Sequence, residues 1–243
     1  MSLDPAREQL GRKAFAELLG SALLAATVVG SGIAAQRMSP RDPGLQLLEN
    51  SVATGAVLVA LILALAPVSA AFNPAVTLAE RALGAISTKA AAVFILAQVV
   101  GCCLGVMLAN LMFDLRLVDV SSHRRSSGPL WLSEVVATFG LLVVIFGVVR
   151  AGRAVMVPFA VGAYISAAYW FTSSTSFANP AITVGRTLSD TFAGIAPSSA
   201  PMFVVMQLVG AALAIGAVVV LYPNARAVAD VVAHLDDPRD SPS

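Results

Sequence analysis

Long stretches of this chain are apolar on every face, with no alternation for a strand and no polar stripe for a surface helix. Residues 14–35 carry Glu17 as their only charge, residues 90–113 carry none, and residues 130–149 carry only Glu134. A last apolar run covers about residues 201–222. About 20 such residues cross the hydrocarbon core of a bilayer as a helix, so each run predicts one span. Two further uncharged runs, 51–79 and 154–185, are too long for one crossing. Each predicts one span followed by roughly half a span. The pattern is therefore that of an all-α membrane protein with six transmembrane helices and two re-entrant half-helices.

Both half-spans open on the same residues. FNPAVTLAER begins at Phe72 and ANPAITVGRT begins at Ala178, giving Asn73-Pro74-Ala75 and Asn179-Pro180-Ala181. Asn is a favoured helix N-cap and Pro a favoured first helical residue, so each triplet predicts the start of a short helix. Other segments repeat as well. AQVVGCCLG from Ala97 matches MQLVGAALA from Met206, pairing Gln98 with Gln207. FAELLGSALLA from Phe15 matches LSEVVATFGLL from Leu132, pairing Glu17 with Glu134. Each half holds three spans, an odd number, so the second half enters the membrane from the opposite side. An inverted repeat of this kind places a permeation or binding site near the midplane. The domain expected is one channel unit over residues 1–243, with a first repeat at about 12–113, a second at about 130–223, and polar tails at 1–11 and 224–243.

Irregular backbone at membrane depth survives only inside protein or along a watery cavity. The inverted symmetry points the two helix starts at each other near the bilayer centre. Their positive dipole ends then disfavour cations and protons, while the Asn73 and Asn179 amides offer donors to a neutral oxygen.

Composition agrees with the pattern. The chain is 58% hydrophobic and 12% charged, with mean hydropathy +0.84, against about 25% charged residues in soluble domains. A net charge of +1 excludes a polyanion such as nucleic acid as partner. Cys102 and Cys103 are adjacent within an apolar run, with no metal-ligand spacing, and nothing calls for a metal or cofactor. His123 and His234 fall outside the spans, which removes histidine gating from within them. The basic stretch Arg7, Arg12, Lys13 before the first apolar run, and the small residues at its end, also fit a cleaved signal peptide. Glu17 and the five later spans favour a retained helix. If both termini are cytoplasmic, 9 of the 15 Lys and Arg residues lie inside and 6 outside, a modest bias in the direction of the positive-inside rule.

At these residues the chain resembles the aquaporin, or major intrinsic protein, family over nearly its whole length. The double Asn-Pro-Ala, the paired Glu17 and Glu134 and the AQVVG run carry the resemblance. It implies a right-handed bundle of six tilted helices in the cell membrane, a homotetramer with one pore per subunit, and passive conduction of water or small neutral solutes, with no enzymatic activity. It also implies that Glu17 and Glu134 are structural, accepting hydrogen bonds from irregular backbone before each half-helix.

A typical member has Arg immediately after its second Asn-Pro-Ala; here that position is Ile182. Counting 12 residues back from Asn179 gives Ala167 as the fifth-span filter position, and three back gives Ser176. In the second span the position is Ala53 or Thr54, with Thr54 preferred because the segment before Asn73 is one residue short of the family pattern. The expected selectivity filter is Thr54, Ala167, Ser176 and Ile182, with no aromatic or charged member, and therefore wide. Arg186, one turn beyond Ile182, either reaches a vestibule of the pore or pairs with Asp190 at the outer surface. The run ANPAITVGRTLSDTFAGI resembles bacterial aquaglyceroporins found with arsenic-resistance genes. That resemblance implies glycerol, arsenite or methylated arsenicals as solutes. A water-selective aquaporin, and a secondary transporter using Glu17 or Glu134, are the alternatives.

Overall fold

A computed structural model describes residues 5–222. Eight α-helices follow one another among them: α1 Pro5–Met38, α2 Pro43–Leu65, α3 Pro74–Leu83, α4 Thr88–Met112, α5 Gly128–Arg150, α6 Val157–Phe171, α7 Pro180–Gly185 and α8 Ala200–Leu221. Short 3₁₀ turns precede α6 (Ala154–Met156) and follow α7 (Arg186–Leu188). Six helices are long and apolar enough to cross a membrane. The other two, α3 and α7, are the half-helices, and each starts at the proline of its Asn-Pro-Ala.

Helix ends depart from the apolar runs where caps decide them. α1 begins at Pro5, inside the stretch expected to be a polar tail, because a helix need not stop at the membrane boundary; Glu8 in its first turn suits the positive end of the helix dipole. α2 begins at Pro43, well before its uncharged run. Asp42 caps it by accepting from Leu45 N at 2.9 Å. This draws Gln46 and Asn50 into a buried helix face, where Asn50 Nδ2 donates to Val28 O at 2.9 Å and Ser31 Oγ at 2.8 Å. α3 ends on Gly84, whose φ of 92° is a left-handed cap that a β-carbon would strain.

The two halves pack by the same rule. α1 lies along α4, and α5 lies along α8. A β-carbon on Gly101 would sit 2.3 Å from Leu18 O, and one on Gly210 would sit 2.4 Å from Val135 O. Glycine at these matched positions lets the helix backbones touch, which is how small residues hold membrane helices together. α2 and α6 close the bundle between the halves, meeting at Gly55 and Gly162.

Candidate functional site

The centre of the bundle is built by the two asparagines. Asn73 caps α3 by accepting from Ala75 N at 2.9 Å, and Asn179 caps α7 by accepting from Ala181 N at 3.0 Å and Ile182 N at 3.3 Å. Their amides cross between the halves: Asn73 Nδ2 donates to Ala178 O and Asn179 Nδ2 to Phe72 O, both at 2.8 Å. The residues before the asparagines, Phe72 (φ 48°) and Ala178 (φ 47°), sit in the left-handed region. For non-glycine residues this costs about 1–3 kcal/mol each and needs surrounding support.

Glu17 and Glu134, both fully buried, provide it. Glu17 accepts from Ser69 Oγ (2.5 Å), Ala71 N (2.9 Å), Phe72 N (2.7 Å) and Gln98 Nε2 (2.8 Å). Glu134 accepts from Phe177 N and Ala178 N, both at 3.0 Å, and from Gln207 Nε2 at 2.6 Å. Gln98 and Gln207 also reach Thr77 and Thr183 on the half-helices, at 2.8 and 2.9 Å. The carboxylate, the amide and the threonine thus form one hydrogen-bonded chain in each half.

A cavity of about 1420 Å³ passes this centre. Its wall includes Lys13, Lys89 and Gly152, the paired Asn73 and Asn179, and Thr54, Tyr169 and Arg186. Neither Glu17 nor Glu134 lines it. Thr54, Ser176 and Ile182 do, and all three are nearly fully buried. Ala53 does not line it, so of the two second-span positions only Thr54 faces the cavity.

Ala167 corrects the expectation. It lies on the exposed side of α6 and does not line the cavity. That helix lines the cavity with Val157, Pro158, Val161, Ile165 and Tyr169; the Tyr169 hydroxyl is 3.1 Å from Thr54 Oγ1. Two helical residues are about 200° apart, so a register error of two turns a position from lumen to outer face. The cavity wall beside Thr54 therefore includes an aromatic group.

Arg186 adds a charged group to the wall. The residue is 3% exposed, lines the cavity, and stacks its guanidinium 3.4 Å above the Phe177 ring. Its Nε donates to Ala193 O. Asp190, the partner expected at an outer surface, instead accepts from Ser122 N at 2.8 Å and lies 3.7 Å from His123; the Ser122 backbone bond holds its carboxyl below the usual range. Arg125, on the loop after α4, lies 5.2 Å from the same Phe177 ring and donates to Gly194 O (2.9 Å) and Phe192 O (3.2 Å). Both arginines thus fasten the segment 192–194 beside the constriction. Tyr169, Phe177 and Arg125 were not among the residues read from the sequence. A Tyr two places from the counted position was the only local sign of them.

Two half-helices meeting at capped asparagines, inside six spans and along one cavity, define a membrane channel rather than an enzyme. The family model for the major intrinsic proteins matches residues 6–178, and the chain belongs to that family. It is 48% identical over 207 residues to aquaglyceroporin AqpS of Rhizobium meliloti (strain 1021), covering 85% of this chain and 88% of that protein. It is 30% identical over 156 residues to aquaporin NIP1-2 of Arabidopsis thaliana, covering 59% and 51% of the two chains. The X-ray structure of the aquaglyceroporin from Plasmodium falciparum superposes with a TM-score of 0.69 at 19% identity, covering 89% of this chain and 98% of that one. This last likeness concerns the fold. The protein is a multi-pass membrane protein and a passive channel for small solutes.

Proposed function

We propose that the channel conducts uncharged solutes larger than water, glycerol first among them, and neutral metalloid species such as arsenite and methylated arsenicals. Asn73 and Asn179, with Pro74, Ala75, Pro180 and Ala181, form the central constriction. Thr54, Ser176 and Ile182, joined by Tyr169 and Arg186 in place of Ala167, form the outer one. Glu17 and Glu134 are structural carboxylates. The observation that carries the reading is the continuous cavity past both capped half-helix starts, whose walls offer the amides but no free carboxylate from Glu17 or Glu134. A proton-coupled transporter would need such a group in its path; among the lining residues Glu80 on α3 is the one carboxylate, so independence from a proton gradient is what separates the two readings. The extensive likeness to a protein named as an aquaglyceroporin supports solutes beyond water.

The same reading has both termini cytoplasmic, two repeats at about 12–113 and 130–223, and a homotetramer in the cell membrane. Family resemblance and the positive-inside count support these. The test is flux into reconstituted vesicles for water, glycerol, arsenite and methylated arsenic acids. Glycerol and at least one arsenic species are expected to enter without any dependence on a proton gradient. Vesicles that pass water alone would overturn the wide-solute reading, and gradient-dependent uptake would favour the transporter.

A further inference from the structure

We infer that the outer constriction is a binding site for a small monovalent oxyanion, held by the guanidinium of Arg186. Arg186 is a cation enclosed within protein, at 3% exposure, yet it lines the cavity. Its Nε is turned away, bound to Ala193 O, and its face is covered by the Phe177 ring. The remaining edge, Nη1 and Nη2, carries four N–H groups. Among the described residues no hydrogen bond reaches either atom, and the cavity is what that edge has left to face.

Glu134 attracts both Arg186 and Arg125, but one carboxylate does not balance two cations, and among the described residues neither of its oxygens is bonded to a guanidinium. Both oxygens of Glu134 are occupied by Phe177 N, Ala178 N and Gln207 Nε2. Asp190 is engaged by Ser122 and His123. Arg125 shares the Phe177 ring and adds a second positive charge to the same corner. Two buried cations beside a single carboxylate leave an excess charge that is costly, and a counter-ion at the free Nη edge reduces that cost. A planar fork of N–H groups fits two oxygens on one central atom, which a spherical ion does not reproduce. Ser176 adds a donor: it lines the same cavity, and its hydroxyl is buried without a partner. An oxyanion seated there occupies the path of neutral solutes and slows them.

The inference rests on the reading that the cavity beside Arg186 is the permeation path. Nitrate is a suitable probe: it is planar, presents oxygens on one atom, and stays anionic at every working pH, so it cannot enter as a neutral acid. Glycerol entry into vesicles holding wild-type protein would be measured in nitrate, chloride and gluconate at equal ionic strength, each corrected for empty vesicles. Nitrate is expected to slow glycerol severalfold relative to gluconate, and chloride less. The fractional inhibition, normalised to each variant's own flux in gluconate, should vanish in Arg186→Ala and weaken in Arg186→Lys, which keeps the charge but loses the fork. Calorimetric titration of nitrate into the detergent-purified protein reads the site without any flux. Saturable heat lost in Arg186→Ala supports the site even if glycerol does not permeate. Absence of nitrate heat and of nitrate inhibition in the wild type, or inhibition that persists unchanged in Arg186→Ala, would overturn it. Equal inhibition by chloride, unaltered in Arg186→Lys, would overturn the two-oxygen fork.

Discussion

The re-entrant segment at 66–84 and its counterpart at 172–188 begin alike and end differently. In each, a non-glycine residue at positive φ, held by a buried glutamate, stands just before a capping asparagine whose amide crosses to the other half, although the second segment also bends through Thr175 and Ser176. Beyond the motif they diverge. α3 runs ten residues to a glycine cap, whereas α7 stops after six and tightens into the 3₁₀ turn that carries Arg186. The phenylalanines differ too. Phe72 is packed under Gly20, where a β-carbon would lie 2.0 Å from its ring. Phe177 is in reach of two arginines, Arg186 of the cavity wall at 3.4 Å and Arg125 of the loop after α4 at 5.2 Å from its ring centroid. The repeated residues therefore build the symmetric centre, and the unrepeated ones build a constriction on one side only. Selectivity that differs between solutes belongs with the second group.

The symmetric part should be the most sensitive to disruption. Glu17→Leu orphans two backbone N–H groups together with Ser69 and Gln98, and Glu134→Leu orphans two N–H groups and Gln207. Each unsatisfied buried donor costs about 1–3 kcal/mol. Both variants should lose most of their monodisperse protein in detergent, with Glu17→Leu the worse. Glu17→Gln, which keeps an acceptor oxygen, should retain folded protein and flux with no new pH dependence. If Glu17→Leu extracts and melts like wild type, the carboxylates do not hold the irregular backbone. If Glu17→Gln folds but loses a proton-coupled uptake, the transporter gains.

Asn73→Asp and Asn179→Asp keep the capping oxygen and remove the donor across the centre. Each should lower neutral-solute flux severalfold and weaken cation exclusion, read as glycerol swelling and as potassium leak in the same vesicles. Because the two amides reciprocate at 2.8 Å, the two variants should behave alike. A large difference between them would break the symmetry of the centre.

The asymmetric part gives smaller and more selective effects. Ile182→Arg adds bulk and a second cation one turn from Arg186, and should cut glycerol and arsenical flux more than water flux. The change should be modest if Arg186 already narrows the same path. Ala167→Trp sharpens the comparison from the other direction. It alters the outer face of α6 and should leave all fluxes near wild type, whereas Tyr169→Ala should raise glycerol flux. Loss of glycerol flux in folded Ala167→Trp would return the filter to the counted position.

Much of the framework was legible because hydrophobicity and capping act locally. Uncharged runs specify spans by length, and Asn-Pro-Ala specifies a helix start wherever it stands. The pairing of Glu17 with Glu134 was visible as a repeat, though which N–H groups they accept from was not. The start of α2 was missed because its polar residues Gln46 and Asn50 break the apolar run; Gln46 bonds back to Ser39 across the turn, and the Asn50 partners Val28 and Ser31 lie on α1. Arg186 was left between two placements because one side chain at the end of a short helix has several reachable partners.

The sequence by itself determined six spans, two half-helices and their inverted relation. These follow from the cost of burying charge in hydrocarbon and of leaving backbone groups unpaired there. Only the tertiary structure decided which residues face the lumen. Between α6 and Asn179 the chain runs through an irregular segment with left-handed residues at Thr175, Ser176 and Ala178. A residue count cannot carry a helix face across such backbone, and two residues of error separate Ala167 on the outside from Tyr169 within. The final orientation of Arg186 likewise depends on the Phe177 ring and the Ala193 carbonyl, which only the folded chain brings beside it.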